Sequence, residues 1–151
     1  MKKISDVNEA LVYILRRLYD AENVMRDAIQ KCSEHARSEL LKVELLEYAE
    51  SARSKIIKLE RSFNYLMKEP TGEKNAIIRK MINDTHEMLA ITKSDETRDI
   101  MLLACMQSII QYKVSGYRTS LALAVELQLD AVADFLHEII EWEKKTERAF
   151  S

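Results

Sequence analysis

Glu22 is the residue whose type and position most suggest metal chemistry, because it is a carboxylate on an otherwise apolar helical stripe. The rest of that stripe is Val7, Leu11, Leu15, Leu18, Met25 and Ile29. A di-iron helical bundle takes a Glu from each of two helices and a Glu-x-x-His motif from each of the other two. The sequence contains no Glu-x-x-His. The nearest pair, Asp134 and His137, falls off the apolar stripe of its helix, and so do His35 and His86. The residue pattern therefore favours loss of metal ligands.

The segment from Asp95 to Leu127 should be one long helix packed on the core, and its apolar stripe lacks a carboxylate. The stripe consists of Leu103, Met106, Ile110, Val114, Tyr117, Leu121 and Ala124. Where a metal-binding bundle would direct a carboxylate inward, this helix has Ile110, with Gln111 and Lys113 beside it. Gly116 costs roughly 1 kcal/mol in mid-helix relative to Ala. This favours close contact with a neighbouring helix over a hinge.

Five helices should account for nearly the whole chain, because 151 residues include only 2 Gly and 1 Pro and 32% are charged. They are predicted at about Asp6–Ser33, Ala36–Met67, Glu73–Ile91, Asp95–Leu127 and Asp130–Ala149. The short helix follows the break at Pro70 and Gly72, between the second and third long helices. A ferritin-like bundle has its long crossover connection there. We expect a single all-α domain, residues 1–151, with the architecture of a ferritin-like four-helix bundle.

Composition and charge exclude several classes of protein. The net charge of −2 gives no field that favours nucleic acid. No apolar run approaches the length of a membrane span, and the N-terminus lacks the apolar core and cleavage site of a signal peptide. Cys32 and Cys105 are expected to be reduced thiols in a cytoplasmic protein. A disulfide between them would require their helices to be adjacent.

Several segments resemble the YciF-like family of ferritin-like bacterial stress-associated proteins. They are LYDAEN at 18–23, KLERSF at 58–63, QYKVSGYRTSLALAVELQ at 111–128 and HEIIEWEKKTE at 137–147. The similarity covers nearly the whole chain, including the short helix. It implies a ferritin-like bundle, often a homodimer, with carboxylates and histidine near the middle of the core that resemble a di-iron site. The activity of the family is itself poorly defined.

This sequence departs from the family at several of those positions. Glu22 matches the acidic residue of the first helix, and Glu50 is kept, with Ser51 beside it in place of a second Glu. The last helix keeps Glu138, Glu141 and Glu143. The substituted positions are Tyr48 in place of His, Ile110, Gln111 and Lys113 in place of Glu, His and Glu, and Trp142 in place of Glu.

These substitutions predict a metal-free, non-catalytic member of the family, with a structural or interaction role in a stress response. Ile110 and Trp142 should fill a former polar cavity, which removes carboxylates that would each carry a desolvation cost of several kcal/mol without metal. Two alternatives are open for Lys113. It forms an internal ion pair with Glu22 or Glu50, or it extends along the helix edge to solvent.

Two competing hypotheses come from other functional classes. A degenerate site made of Glu22, Glu50, Glu138 and Glu141 could bind iron or manganese and support oxidase or peroxidase chemistry. It requires those carboxylates to converge about 2 Å from one point. A helical adaptor protein would instead expose an apolar patch larger than the few hundred Å² that is normal for a monomer.

Overall fold

The computed structural model describes residues 3–151, and five α-helices contain most of them. The helices are α1 (Val7–Ser33), α2 (Glu39–Tyr65), α3 (Ala76–Ile91), α4 (Asp95–Glu126) and α5 (Asp130–Ala149). The predicted number and order of helices are confirmed. The described part of the chain contains no strand, and no helix in it is long and apolar enough to cross a membrane.

Two helices begin later than predicted, because a side chain caps each of them. Ser38 Oγ accepts a hydrogen bond from the backbone N–H of Leu41 at 3.2 Å, so α2 begins at Glu39 instead of Ala36. Asn75 Oδ1 accepts one from the N–H of Ile78 at 3.0 Å, so α3 begins at Ala76 instead of Glu73.

The four long helices pack in a closed ring in the order α1, α2, α5, α4. Side-chain contacts show that each neighbour runs antiparallel to the next. Between α1 and α2, Tyr19 bonds to Glu60 and Arg26 pairs with Glu50. The other pairs are Lys58 with Glu138 and Tyr65 with Phe135 between α2 and α5, and Gln107 with the Phe150 carbonyl and Gln111 with Glu147 between α4 and α5.

Because all neighbours in the ring are antiparallel, α2 and α4 lie diagonally and run in the same direction. The chain must therefore return along the full length of the molecule between them, and α3 occupies this connection, packed on α1 and α4.

A polar network attaches the start of α3 to α1. Asp20 accepts hydrogen bonds from the backbone N–H of Asn75 at 2.8 Å and from Arg79 at 2.7 and 3.2 Å. Asn75 Oδ1 also accepts a hydrogen bond from Tyr112 Oη of α4 at 3.1 Å, and Asn75 Nδ2 donates one to the Arg17 carbonyl. This network fixes the short helix against the α1–α4 seam.

The apolar core consists of two clusters, one toward each end of the long helices. One cluster includes Met25, Leu45, Ile78, Leu102, Met106 and Ile110. The other includes Leu11, Leu15, Leu59, Phe63, Leu136 and Ile139. Charged side chains lie between them, in the middle of the long helices.

Candidate functional site: a buried ion cluster

Six side chains from all four long helices form one polar group in the middle of the core, which we call the buried ion cluster. Its members are Glu22 on α1, Tyr48 and Lys55 on α2, Lys113 and Tyr117 on α4, and Glu143 on α5. The two carboxylates are fully buried, and the two lysines are 1% exposed. Charged groups at this depth are costly unless they are paired and hydrogen-bonded.

Lys113 lies at the centre of the buried ion cluster. Its Nζ donates hydrogen bonds to Glu22 Oε1 at 2.9 Å and to Tyr48 Oη at 3.1 Å. It also lies 2.5 Å from Glu143 Oε1. The Tyr48 ring is 4.9 Å from the same nitrogen, measured to its centroid. One ammonium group therefore connects α1, α2 and α5 to α4.

Lys55 supplies a second positive charge from α2. Its Nζ lies 2.9 Å from Glu143 Oε1 and 2.9 Å from Ser51 Oγ, and 4.4 Å from the centroid of the Tyr48 ring. Glu143 Oε1 thus lies between two ammonium groups. Both contacts are ion pairs by distance, although neither has hydrogen-bond geometry at that oxygen.

The two tyrosines donate to the remaining carboxylate oxygens. Tyr48 Oη donates to Glu143 Oε2 at 2.8 Å, and Tyr117 Oη donates a short hydrogen bond to Glu22 Oε2. Two carboxylates and two ammonium groups give the cluster no net charge.

The pKa shifts agree with this pattern of charges. Burial opposes ionisation of Glu143, but the positive charges of Lys113 and Lys55 outweigh it and hold the pKa of that carboxyl at about 2. Burial also opposes the charge of Lys113, yet Glu143 and Glu22 raise its pKa well above the ordinary value. Burial and the charge of Lys113 lower the pKa of Lys55. Burial and the nearby carboxylates raise the pKa of Tyr48 and Tyr117, so both hydroxyls stay protonated.

Helical spacing explains why the sequence brings these groups together. Lys113 and Tyr117 are four residues apart on α4, so they share a face. Tyr48, Ser51 and Lys55 follow spacings of three and four residues on α2, and Ser51 Oγ donates to the Tyr48 carbonyl at 2.6 Å. The two faces meet across the core.

The side chains present do not fit a di-iron or other metal centre of the carboxylate type. Only two carboxylates meet here, and the ammonium groups of Lys113 and Lys55 already lie against them. Residues 3–151 contain no group of three or more His, Cys, Asp or Glu side chains that could hold a metal ion. The two ammonium groups together carry the same positive charge as a divalent cation, but they belong to side chains of α2 and α4.

Three of the four residual ligand candidates lie elsewhere, which corrects the set Glu22, Glu50, Glu138 and Glu141. Glu50 is 60% exposed and pairs with Arg53 and Arg26 on the surface. Glu138 is 49% exposed and pairs with Lys58. Glu141 is 52% exposed and lies near His137 and Lys144. Of the four, the structure brings only Glu22 into the core.

The five substituted positions that were expected to occupy the former ligand site lie in different environments. Ile110 is fully buried among apolar side chains, and Tyr48 belongs to the buried ion cluster. Of the two alternatives for Lys113, the structure has the internal ion pair, with Glu22 and not with Glu50. Gln111 is exposed and contacts Glu147. Trp142 does not fill the interior as expected, since Glu143 is the buried residue and Trp142 is only half-buried.

Lys55, Tyr117 and Glu143 were not among the candidate site residues. On α2 the buried position is Lys55, whereas its apolar neighbour Ile56 is only half-buried. Tyr117 was assigned to the apolar stripe of α4, where it lies, but its hydroxyl also bonds to Glu22. The spacing on α5 could have indicated that Glu143 is buried, because Glu143 follows Leu136 and Ile139 at intervals of three and four residues.

The two thiols are free, as expected. Cys32 is buried, and burial together with the nearby Cys105 raises its pKa to about 11. Its thiolate is therefore disfavoured, which is typical of an inert structural cysteine.

The fold and this interior define a class of protein, namely an all-α protein of five helices with a compensated charge cluster in its core. Residues 6–151 match the family described as a domain of unknown function, DUF892, so the chain belongs to this family. Protein YciF of Escherichia coli K12 is 26% identical over 155 residues, which cover 97% of this chain and 87% of YciF. The resemblance inferred from sequence segments is confirmed.

Two solved structures share the fold. YcfI from Rhodopseudomonas palustris, for which a structural role has been suggested, is 26% identical, with a TM-score of 0.96 and coverage of 99% of this chain and 95% of YcfI. The structure of the E. coli stress protein YciF gives a TM-score of 0.93 at 22% identity and covers 97% of this chain and 93% of that one. The latter likeness concerns the fold alone.

Proposed function

We propose that this protein is a metal-free, ferritin-like four-helix bundle with a structural or interaction role in a stress response, in which the buried ion cluster takes the place of a metal site. The diagonal arrangement of α2 and α4, with α3 in the crossover, supports the ferritin-like assignment. YciF is described as a stress protein and YcfI has been suggested to be structural, which supports the proposed role.

The position of Lys113 is the observation that carries this proposal. Its ammonium lies within 2.9 Å of Glu22 and 2.5 Å of Glu143, so it contacts both carboxylates that a metal ion would need. A metal ion entering here would have to displace or deprotonate a lysine whose pKa is raised by those same carboxylates. The charges therefore favour the protein without metal.

Metal content after loading tests the proposal. The purified protein is incubated with iron, manganese or zinc, separated from free metal, and analysed by plasma mass spectrometry. We expect far less than one metal ion per chain. The variant Lys113→Glu/Ile110→Glu removes the ammonium and adds two carboxylates next to Glu22 and Glu143, so it should gain metal. Lys145→Glu makes the same lysine-to-glutamate change at an exposed position, so it is the control and should not gain metal.

The competing function is a degenerate metal-dependent oxidase or peroxidase. About one iron or manganese ion per chain in the natural protein, lost in Glu22→Ala, would establish that alternative and overturn the proposal. A groove of about 430 Å³ between α2 and α5 is lined in part by Tyr48 and Ser51, so its floor lies at the edge of the buried ion cluster. It is the feature that such chemistry would use.

We also propose that the protein is a cytoplasmic homodimer. Two free thiols suit a reducing compartment. The dimer follows from the family resemblance.

A further inference from the structure

A cavity of about 270 Å³ lies beside the first half of α1, and we call it the Arg16 cavity after one of its lining residues. Its other walls are the segment of residues 3–6 that precedes α1 and the loop of residues 66–75 that joins α2 to α3. The volume is close to the lower end of the roughly 300–1,000 Å³ that small-molecule sites occupy. The cavity therefore suits a small ligand.

Backbone contacts hold both of these walls against α1. In the loop, the backbone N–H of Glu73 donates a hydrogen bond to the Arg16 carbonyl at 3.0 Å. In the N-terminal segment, the backbone N–H of Ser5 donates to Glu9 Oε2 at 3.0 Å. The Arg16 cavity is therefore formed before any ligand binds, which lowers the cost of ordering that binding would otherwise carry.

The guanidinium group of Arg16 lines the cavity without a partner. Its Nε is buried and has no hydrogen-bond acceptor, and the group forms no ion pair within residues 3–151. The neighbouring Arg17, by contrast, donates to Asn75 Oδ1 at 3.4 Å and lies over the Tyr13 ring. A buried donor that lacks an acceptor is rare and costly in a native protein. The Arg16 Nε thus indicates the place of an acceptor that a ligand would supply.

The charges around the cavity favour a ligand with one negative charge. Lys3 and Lys68 line it together with Arg16, and the carboxylates of Glu9 and Glu73 lie at the same cavity. In the described part of the chain none of these five groups forms an ion pair with another, and one oxygen of Glu9 already accepts the hydrogen bond from the N-terminal segment. Three positive charges and two negative ones leave a net charge of one, which a single carboxylate would balance.

Apolar side chains form another part of the wall and favour an organic acid over an inorganic anion. They are Ile4, Val12 and Tyr13. Ile4 is 50% exposed, so a ligand that lies over it would remove apolar surface from water. An inorganic anion such as phosphate would leave that surface wet.

We propose that the Arg16 cavity binds a small monocarboxylic acid with an apolar body. The carboxylate accepts a hydrogen bond from Arg16 Nε, the ammonium group of Lys68 lies near it, and the apolar body covers Ile4 and Tyr13. A charge-assisted hydrogen bond of this kind is roughly twice as strong as a neutral one. The site uses no residue of the buried ion cluster, so it does not depend on the metal-free function.

Isothermal titration calorimetry with 3-phenylpropionate tests the proposal. We expect one site per chain with a Kd below about 1 mM, as befits a ligand of this size. The neutral amide 3-phenylpropanamide keeps the body without the charge, and acetate keeps the charge without the body. Each should bind at least about tenfold more weakly than 3-phenylpropionate.

Three glutamine variants locate the site. Arg16→Gln removes the unpaired donor and its charge and should weaken binding of 3-phenylpropionate at least about tenfold. Lys68→Gln changes an exposed loop residue, so the fold is kept, and it should weaken binding about two- to fivefold. Lys145→Gln removes a positive charge from the groove between α2 and α5 and should leave the affinity unchanged.

Four results would overturn the proposal. They are no saturable binding of 3-phenylpropionate up to about 5 mM, an amide or inorganic phosphate that binds as tightly as the acid, full affinity in Arg16→Gln, and a loss of affinity in Lys145→Gln equal to that in Arg16→Gln. Circular dichroism shows whether Arg16→Gln folds. If it does not fold, unchanged affinity in Lys68→Gln overturns the proposal. None of these results bears on metal content.

Discussion

At the scale of single residues, Lys113 makes contacts that a buried lysine needs in order to remain charged. Two carboxylates on two other helices compensate its charge, and Tyr48 accepts one of its hydrogen bonds. Buried ion pairs of this kind add little stability over well-packed apolar groups, but breaking one is costly because the partner remains charged and buried. Removing one charged member should therefore lower the free energy of unfolding by more than the whole buried ion cluster adds to it.

Lys113→Met should destabilise the protein by about 3–5 kcal/mol, because Glu22 and Glu143 would be left with only Lys55. The free energy of unfolding from urea titration measures the loss. Lys144→Met is the control, since Lys144 is 38% exposed and pairs loosely with Glu141 at 3.8 Å. It should change stability by about 0.5 kcal/mol or less. If the two substitutions lowered stability equally, the contacts of Lys113 would not be compensating the buried charges of Glu22 and Glu143.

Acid should destabilise the protein through Glu143. The pKa of this carboxyl is held at about 2 in the folded protein and is 4.5 without that environment. Between these values the unfolded chain binds the proton and the folded protein does not, so stability falls as pH falls. The contribution of Glu143 is complete above about pH 4.5 and is lost as pH falls through about 2.

Urea titrations at pH 6, 4.5 and 3 check this dependence. Glu143→Gln should lower stability at pH 6 and flatten the decline between pH 4.5 and 3. Glu141→Gln, on an exposed side chain, should keep the slope of the natural protein. An unchanged slope in Glu143→Gln would show that other carboxyls cause the acid sensitivity.

Only part of the cluster could be predicted residue by residue. Glu22 stood out because a carboxylate interrupted an apolar stripe, and Lys113 was left between two alternatives. Lys55 was missed because a lysine on a long helix is normally exposed. Glu143 matched the family pattern but was not among the four residual ligand candidates. Their burial becomes evident only when the opposite charge on another helix is known, and a single sequence does not contain that distance.

At the scale of helices, Gly116 sets how closely α4 approaches α1. A Cβ atom at this position would lie 3.1 Å from Leu18 Cδ2, so the glycine allows close packing, as its mid-helix position predicted. The contact is with the end of a flexible side chain, which can shift slightly. The same place would not accept a larger group.

Gly116→Ala should change stability by less than about 1 kcal/mol, because the gain in helix propensity offsets the tight contact. Gly116→Leu should destabilise the protein by about 1–3 kcal/mol through overpacking against Leu18. Thermal unfolding followed by circular dichroism distinguishes the two. A leucine variant as stable as the alanine variant would contradict close packing at this seam.

The presence of each helix was predictable from the sequence. The rotation of a helix about its axis, which decides the residue that faces the core, was harder to predict. The sequence predicted that Trp142 fills the interior, whereas the structure turns the neighbouring Glu143 inward. An error of one residue is about 100° on a helix. The apolar pattern favoured Trp142 as the inward residue, because an aromatic side chain is usually buried and a carboxylate is usually exposed.

At the scale of the whole molecule, the order of the helices and the position of the short one indicated the topology. The connection of three residues between α4 and α5 makes them antiparallel neighbours, and the break at Pro70 and Gly72 precedes the crossover. The sequence could not predict how α3 attaches to α1, because Asp20 lies far from Asn75 and Arg79 in the chain and meets them only in the folded protein.

The neutral charge balance of the core also limits how a sequence of this kind can change over time. Two carboxylates and two ammonium groups cancel, so the loss of any one leaves an uncompensated charge between two apolar clusters. Substitutions that remove opposite charges together avoid this state. A lineage passing between a carboxylate-rich interior and this one would therefore have to change residues on different helices in step, or bind a cation while it did so.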